Sequence, residues 1–170
     1  MGVESFFIEC KVFDSQIELH AGIKQYVGSK IKIVDDFLHF LKLNGYKIKS
    51  QKKYFRRYVV EKKLILDIFS DNNYLQGFSI EGCFANYKET LNLAKKMIIL
   101  INSHFLQLKL KIPDTGVYNY INQESLDTLV KQIDYRYNVF NENYHCTFNS
   151  LPGEMFFRKY SFYRLFNKKI

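Results

Sequence analysis

The chain has 170 residues, 47% of them hydrophobic and 17% aromatic, with two prolines, eight glycines and a formal net charge of +8. That length and composition suit one folded domain, residues 1–170, with a real core, and exclude a disordered chain. Met97 to Ile101, the most apolar window, is far too short to span a bilayer. Met1 to Phe13 lacks the basic start and apolar run of a secretory signal. Cys10, Cys83 and Cys146 are odd in number and widely spaced. They read as thiols in a reducing compartment, which predicts a cytoplasmic protein without a disulfide framework.

Phe6, Ile8, Cys10 and Val12 alternate with Phe7, Glu9, Lys11 and Phe13, the period-2 pattern of a strand. Ser15 to Gly28 fits part of a helix face, but Gly22 interrupts it, so this stretch reads as a loop or a short element. From Ser29 or Asp35 to Asn44, Ile31, Val34, Leu38 and Leu41 recur at helical spacing. Gly45 follows where a left-handed cap belongs. Tyr54 to Val60 and Leu64 to Phe69 predict two strands joined as a hairpin across Glu61-Lys62-Lys63, although no Asn-Gly or Asp-Gly pair marks the turn. Asp71-Asn72-Asn73 is a turn cluster, and a strand from Tyr74 to Phe84 follows.

Asn86 and Glu89 have the spacing of a capping box, opening a helix whose inner stripe is Tyr87, Leu91, Ala94, Ile98 and Ile101. Leu106, Leu108, Leu110 and Ile112 alternate as a half-buried strand that Pro113 stops. A third helix, Gln123 to Phe140, has Asn122 as its cap and Leu126, Leu129, Val130, Ile133 and Tyr137 as its inner stripe. A Pro152-Gly153 turn and a C-terminal strand close the chain. The predicted fold class is α+β: an antiparallel sheet with helices packed on one face, on a split βαβ or ferredoxin-like plan with an additional strand, a third helix and a C-terminal strand.

The positive charge is concentrated. Lys47 to Lys63 holds eight bases against Glu61 alone, and Met155 to Ile170 holds five bases and no acid, leaving the remainder of the chain at −4. Lys outnumbers Arg twenty to five, a bias that an AT-rich coding sequence produces without selection on function. The candidate partner-binding residues are Lys52, Lys53, Tyr54, Arg56, Arg57 and Tyr58, with Arg158, Lys159 and Arg164 from the tail. Strand alternation would put Tyr54, Arg56 and Tyr58 on one face.

Three uses compete for this surface. It can dock an acidic protein, with cations steering the encounter and Tyr, Phe and Arg anchoring it. It can track phosphates while the rings stack on bases of single-stranded RNA or DNA. It can also be a lysine-guarded sheet edge, a common device against aggregation. Arg57-Tyr58-Val59-Val60-Glu61 lacks the glycine of the RNA-recognition sheet motif, and no zinc finger or GXXG loop is present. The tail aromatics, Phe156 to Phe166, are candidates for core or for a homodimer seam.

Catalytic and metal chemistry find little support. Asp35 and His39 share a helix face but have no second ligand pair. His145 and Cys146 are adjacent, so an extended backbone sends them to opposite faces. Glu9 and Glu81 could pair across a sheet, but strand glutamates opposite lysines are the commoner outcome. Phosphate-binding glycine loops are absent, and Gly77-Phe78-Ser79-Ile80-Glu81 has Glu81 where a nucleophile elbow needs its second glycine. The expectation is therefore a binding protein without cofactor or metal: a small intracellular inhibitor, of the toxin-neutralising immunity or anti-defence kind, with an acidic protein partner. Single-strand nucleic-acid binding through the same residues is the alternative.

Overall fold

The computed structural model describes residues 5–12, 15–19, 23–27, 33–50, 56–71, 73–84, 87–104 and 108–144. In chain order the elements are β1 (Ser5–Val12), β2 (Ser15–Leu19), β3 (Ile23–Val27), α1 (Val34–Leu43), β4 (Ile48–Ser50), β5 (Arg57–Val60) and β6 (Leu64–Asp71). They continue with β7 (Tyr74–Cys83), α2 (Tyr87–Asn102), β8 (Leu108–Lys111), β9 (Tyr118–Tyr120) and α3 (Gln123–Tyr144). Seven strands form one open antiparallel sheet in the order β4-β5-β6-β7-β1-β8-β9, and β2 and β3 pair separately. At its centre, β6-β7-β1-β8 is the predicted split βαβ arrangement, with α2 crossing from β7 to β8.

Alternation fixes the two faces of the sheet. Phe6, Ile8 and Cys10 on β1 pair with Gly82, Ile80 and Phe78 on β7, which pair in turn with Leu64, Leu66 and Ile68 on β6. Every apolar side chain among these is buried, and they form the inner face. Val34, Phe37, Leu38 and Leu41 of α1 and Leu91, Ala94, Met97, Ile98 and Ile101 of α2 belong to the same core. Phe37 stacks on Phe78 with centroids 5.6 Å apart. α3 runs antiparallel beside α2. Its start is tied by the Asn102 side-chain amide donating to the Ile121 carbonyl, at 3.3 Å. Its later turns meet the start of α2, where Tyr137 stacks on Tyr87 at 4.3 Å and the Tyr87 hydroxyl donates to Asp134.

Helix ends follow the sequence signals closely. At the end of α1, Gly45 takes a φ of 89°; its N–H donates to the Lys42 carbonyl and that of Tyr46 to the Leu41 carbonyl, a Schellman motif. Asn122 caps α3 by accepting from the Ser125 N–H at 2.8 Å, and the Ser125 hydroxyl accepts from the Asn122 N–H. The start of α1 falls within one residue of the expected Asp35. Ile33 occupies its N-cap without a side-chain hydrogen bond, and the helix begins at Val34. Glu89 engages Lys63 of the β5–β6 turn; its expected cap partner, Asn86, lies outside the described residues. The expected C-terminal strand also lies outside them. Ser15 to Gly28, read as a loop or a short element, holds the paired strands β2 and β3, while β4 and β9 were not anticipated. No described helix is long and apolar enough to cross a membrane.

Candidate functional site

The described residues of the basic run, 47–50 and 56–63, lie at one end of the sheet. β4 is the terminal strand and presents Lys49; Lys47, also exposed, precedes it, and Lys62 stands at the tip of the β5–β6 turn. The turn is held by the Lys63 N–H donating to the Val60 carbonyl at 2.9 Å. Glu61 braces it against β4: its N–H donates to the Lys47 carbonyl at 3.0 Å, and its carboxylate accepts from the Lys47 N–H at 2.7 Å. Glu61 and Lys62 sit at φ 52° and 56°, both left-handed, in a turn where Asn-Gly is the usual solution.

The predicted site residues that are described divide between the two faces. Arg57 lies on the outer face, where Asp67 accepts from its Nε and Nη2 at 2.6 Å each in a bidentate pair. Arg56 and Tyr58 take the opposite, helix-covered side. Tyr58 pairs with the buried Leu66, is half-buried against the core, and is not an open stacking surface. Burial raises its phenol pKa, the Arg56 charge lowers it and Asp35 adds to the rise. One guanidinium nitrogen of Arg56 is buried without a hydrogen-bond acceptor, which costs about 1–3 kcal/mol. Lys52, Lys53, Tyr54, Arg158, Lys159 and Arg164 lie outside the described residues.

The outer face of the sheet carries no helix among the described residues, and it is where residues not singled out from sequence converge. One row crosses it as Arg57, Asp67, Ser79 and Glu9 in cross-strand register, and it continues through the ion pair of Glu9 with Lys111 at 3.1 Å. Tyr118, opposite Lys111, donates its hydroxyl to Glu9. The next row is Phe69, Gly77, Lys11, Lys109 and Tyr120. The Lys11 ammonium lies 4.4 Å from the Tyr118 ring centroid, and Lys109 lies 4.4 Å from that of Tyr120. The only signal in the sequence was alternation, Lys109-Leu110-Lys111 and Tyr118-Asn119-Tyr120, which is too short to stand out.

Glu9 therefore faces a lysine, as expected of a strand glutamate. Glu81 instead is buried and accepts from the Ser5 hydroxyl at 3.0 Å. Asp35 and His39 are both exposed on α1, and no group of three or more metal-ligating side chains occurs among the described residues. Cys10 and Cys83 are buried free thiols. Burial, aided by the charge of Glu9, pushes the Cys10 thiol far above its ordinary range, so it is unreactive. Cys146 and His145 lie outside the described residues. Comparison with protein-family models, with curated proteins and with solved structures finds no match.

The Glu9–Tyr118 pair makes a pH prediction. Partial burial pushes the Glu9 carboxyl upward, but the hydrogen bonds from Tyr118 and Lys111 and the charges of Lys111 and Lys11 outweigh it and leave the pKa below 4.5. Partial burial, then the hydrogen bond and charge of Glu9, raises Tyr118 from 10.0 to about 12. A raised phenol pKa stabilises the fold fully below pH 10, and that contribution is lost as pH rises through about 12. Wild type should therefore be more resistant to urea than Tyr118→Phe at pH 9, with the gap closing as the pH approaches 12. A constant gap between their urea midpoints across that range would rule the pairing out.

Proposed function

We propose that this chain is a non-enzymatic binding protein that docks an acidic protein on the lysine-lined edge made by β4, β5 and the β5–β6 turn, acting as a stoichiometric inhibitor. The observation that carries this reading is the left-handed pair Glu61 and Lys62 at the tip of the basic hairpin. Holding a non-glycine residue there costs on the order of 1–2 kcal/mol, and strain of this kind concentrates at functional sites. Glycine at Lys62 would relieve it but would remove the exposed cation. Among the described residues, the edge offers Lys47, Lys49 and Lys62 without an exposed ring beside them, because Tyr58 faces the core. That arrangement favours carboxylates on a protein over the stacked bases of a single strand.

The test is charge reversal. Immobilised wild type should retain an acidic protein from the native cell at one-to-one stoichiometry, and the combined variant Lys47→Glu, Lys49→Glu, Lys62→Glu should lose it at an unchanged melting temperature. Retention by the triple variant, or capture of nothing by wild type, would defeat the reading. A mixed oligonucleotide pool that shifts with wild type but not with the triple variant would assign the edge to nucleic acid instead. Lys62→Gly should raise stability by about 1 kcal/mol in urea unfolding while weakening partner capture.

A further inference from the structure

The outer face at β1, β8 and β9 is chemically unlike the β4 edge and lies at the other end of the sheet. Lys11 and Lys109 are direct cross-strand partners, and Lys111 stands two residues along the same face. Like charges placed directly opposite destabilise a strand pair, so this register is a cost to the fold. The cations are interleaved with rings: Tyr118 and Tyr120 lie opposite Lys111 and Lys109, and each has an ammonium within 4.4 Å of its centroid. Tyr120 is 55% exposed, and Phe7, on the same face of β1, is 50% exposed. Glu9 is the carboxylate within this group, and both its oxygens are engaged, by Lys111 and the Tyr118 hydroxyl.

Cation and ring thus face each other across the β8–β9 pair, and the two such pairs lie about 7 Å apart along the strands, two residues at ~3.4 Å each. Any one patch presents a phosphate with an ammonium and its neighbouring base with a π-face. Rings that anchor a protein partner sit in packed pockets, whereas Phe7 and Tyr120 stand half exposed on the sheet face, as base stacking requires. We propose that this part of the sheet face binds single-stranded nucleic acid, with Lys11, Lys109 and Lys111 meeting phosphates and Phe7, Tyr118 and Tyr120 stacking on bases. The site is separate from the lysine edge and does not depend on what that edge binds.

The experiment is fluorescence anisotropy of a labelled oligothymidine strand with the full chain at low salt. Three phosphate contacts predict a log-log salt slope of about −2. Lys11→Glu combined with Lys109→Glu should weaken binding more than about tenfold, and Tyr120→Ala by about fivefold or more. Lys47→Glu with Lys49→Glu should leave it unchanged. Melting temperatures for every variant separate lost binding from lost folding, and Lys11→Gln provides a milder probe if the charge reversals fail to fold. Absence of any anisotropy change, or equal binding by Lys11→Gln and Tyr120→Ala, overturns the proposal. So does displacement of the strand by polyglutamate at equal charge concentration, which would make the face a general dock for acidic chains. Partner capture through Lys47, Lys49 and Lys62 survives the Lys11 and Lys109 changes if both inferences hold.

Discussion

Gly77→Ala is expected to destabilise the protein by about 3 kcal/mol, the upper end for overpacking a well-packed site. A Cβ built on Gly77 falls 2.4 Å from the Cys10 carbonyl oxygen and 3.2 Å from the Lys11 Cα. Both are backbone atoms of β1, at the Lys11–Gly77 end of the β1–β7 ladder, so no rotamer change relieves the clash; one strand must withdraw from the other. The neighbouring Gly82 supplies the contrast. An added Cβ there meets the Phe6 ring at 2.3 Å, a side chain that can swing even though its site is full. Gly82→Ala should therefore cost less than Gly77→Ala. For a chain of this size, 3 kcal/mol lowers the melting temperature by about 6–12 °C. A Gly77→Ala variant melting within about 2 °C of wild type would mean that the β1–β7 approach is not as close as described.

Phe37→Ala should cost about 3–5 kcal/mol, the range for truncating a buried aromatic. Phe37 is fully buried and stacks on Phe78, joining α1 to the middle of the sheet. α1 is only ten residues long and lacks a side-chain cap at its start, so its stability comes from that packed face. Hydrogen exchange should find the amides of Phe37 to Leu43 opening ahead of those in α2, with the β4 edge loosening along with them. That coupling follows from the Schellman turn, in which Tyr46 and Leu41, both packed on the core, tie the end of α1 to the lead-in of β4. Uniform exchange across α1 and α2 in the variant would show that the helix does not depend on this ring.

Much of the architecture was legible because its elements are long enough to show a period. β1, β6, β7 and β8 alternate over four to ten residues, and α2 and α3 carry full apolar stripes over many turns. β4 and β9 have three residues each, which is too few for alternation to register. Their existence depends on neighbouring strands that already offer an edge. Charge was legible as a sum but not as a surface. The run at Lys47 to Lys63 drew attention because its lysines are contiguous, yet alternation sends Arg57 to one face and Tyr58 to the other, and Asp67 takes up the Arg57 guanidinium. The outer-face group was hidden for the opposite reason. Lys11, Lys109 and Tyr118 are isolated in sequence and meet only because β1 pairs with β8, about a hundred residues downstream.

The position of β1 has a consequence for how the chain is made. β1 is the first strand in sequence yet sits fifth in the sheet, between β7 and β8. As the polypeptide leaves the ribosome, Phe6, Phe7 and Ile8 wait through some seventy residues before β7 arrives, and the β8 side closes later still. The β5–β6 hairpin, whose contacts are local, can form in that interval. Synthesis at about 5–20 residues per second makes the wait last several seconds, with an apolar strand unpaired on both edges. A chaperone that shields this strand until β7 arrives would therefore raise the yield of native protein, and slowing translation before β7 would lower it.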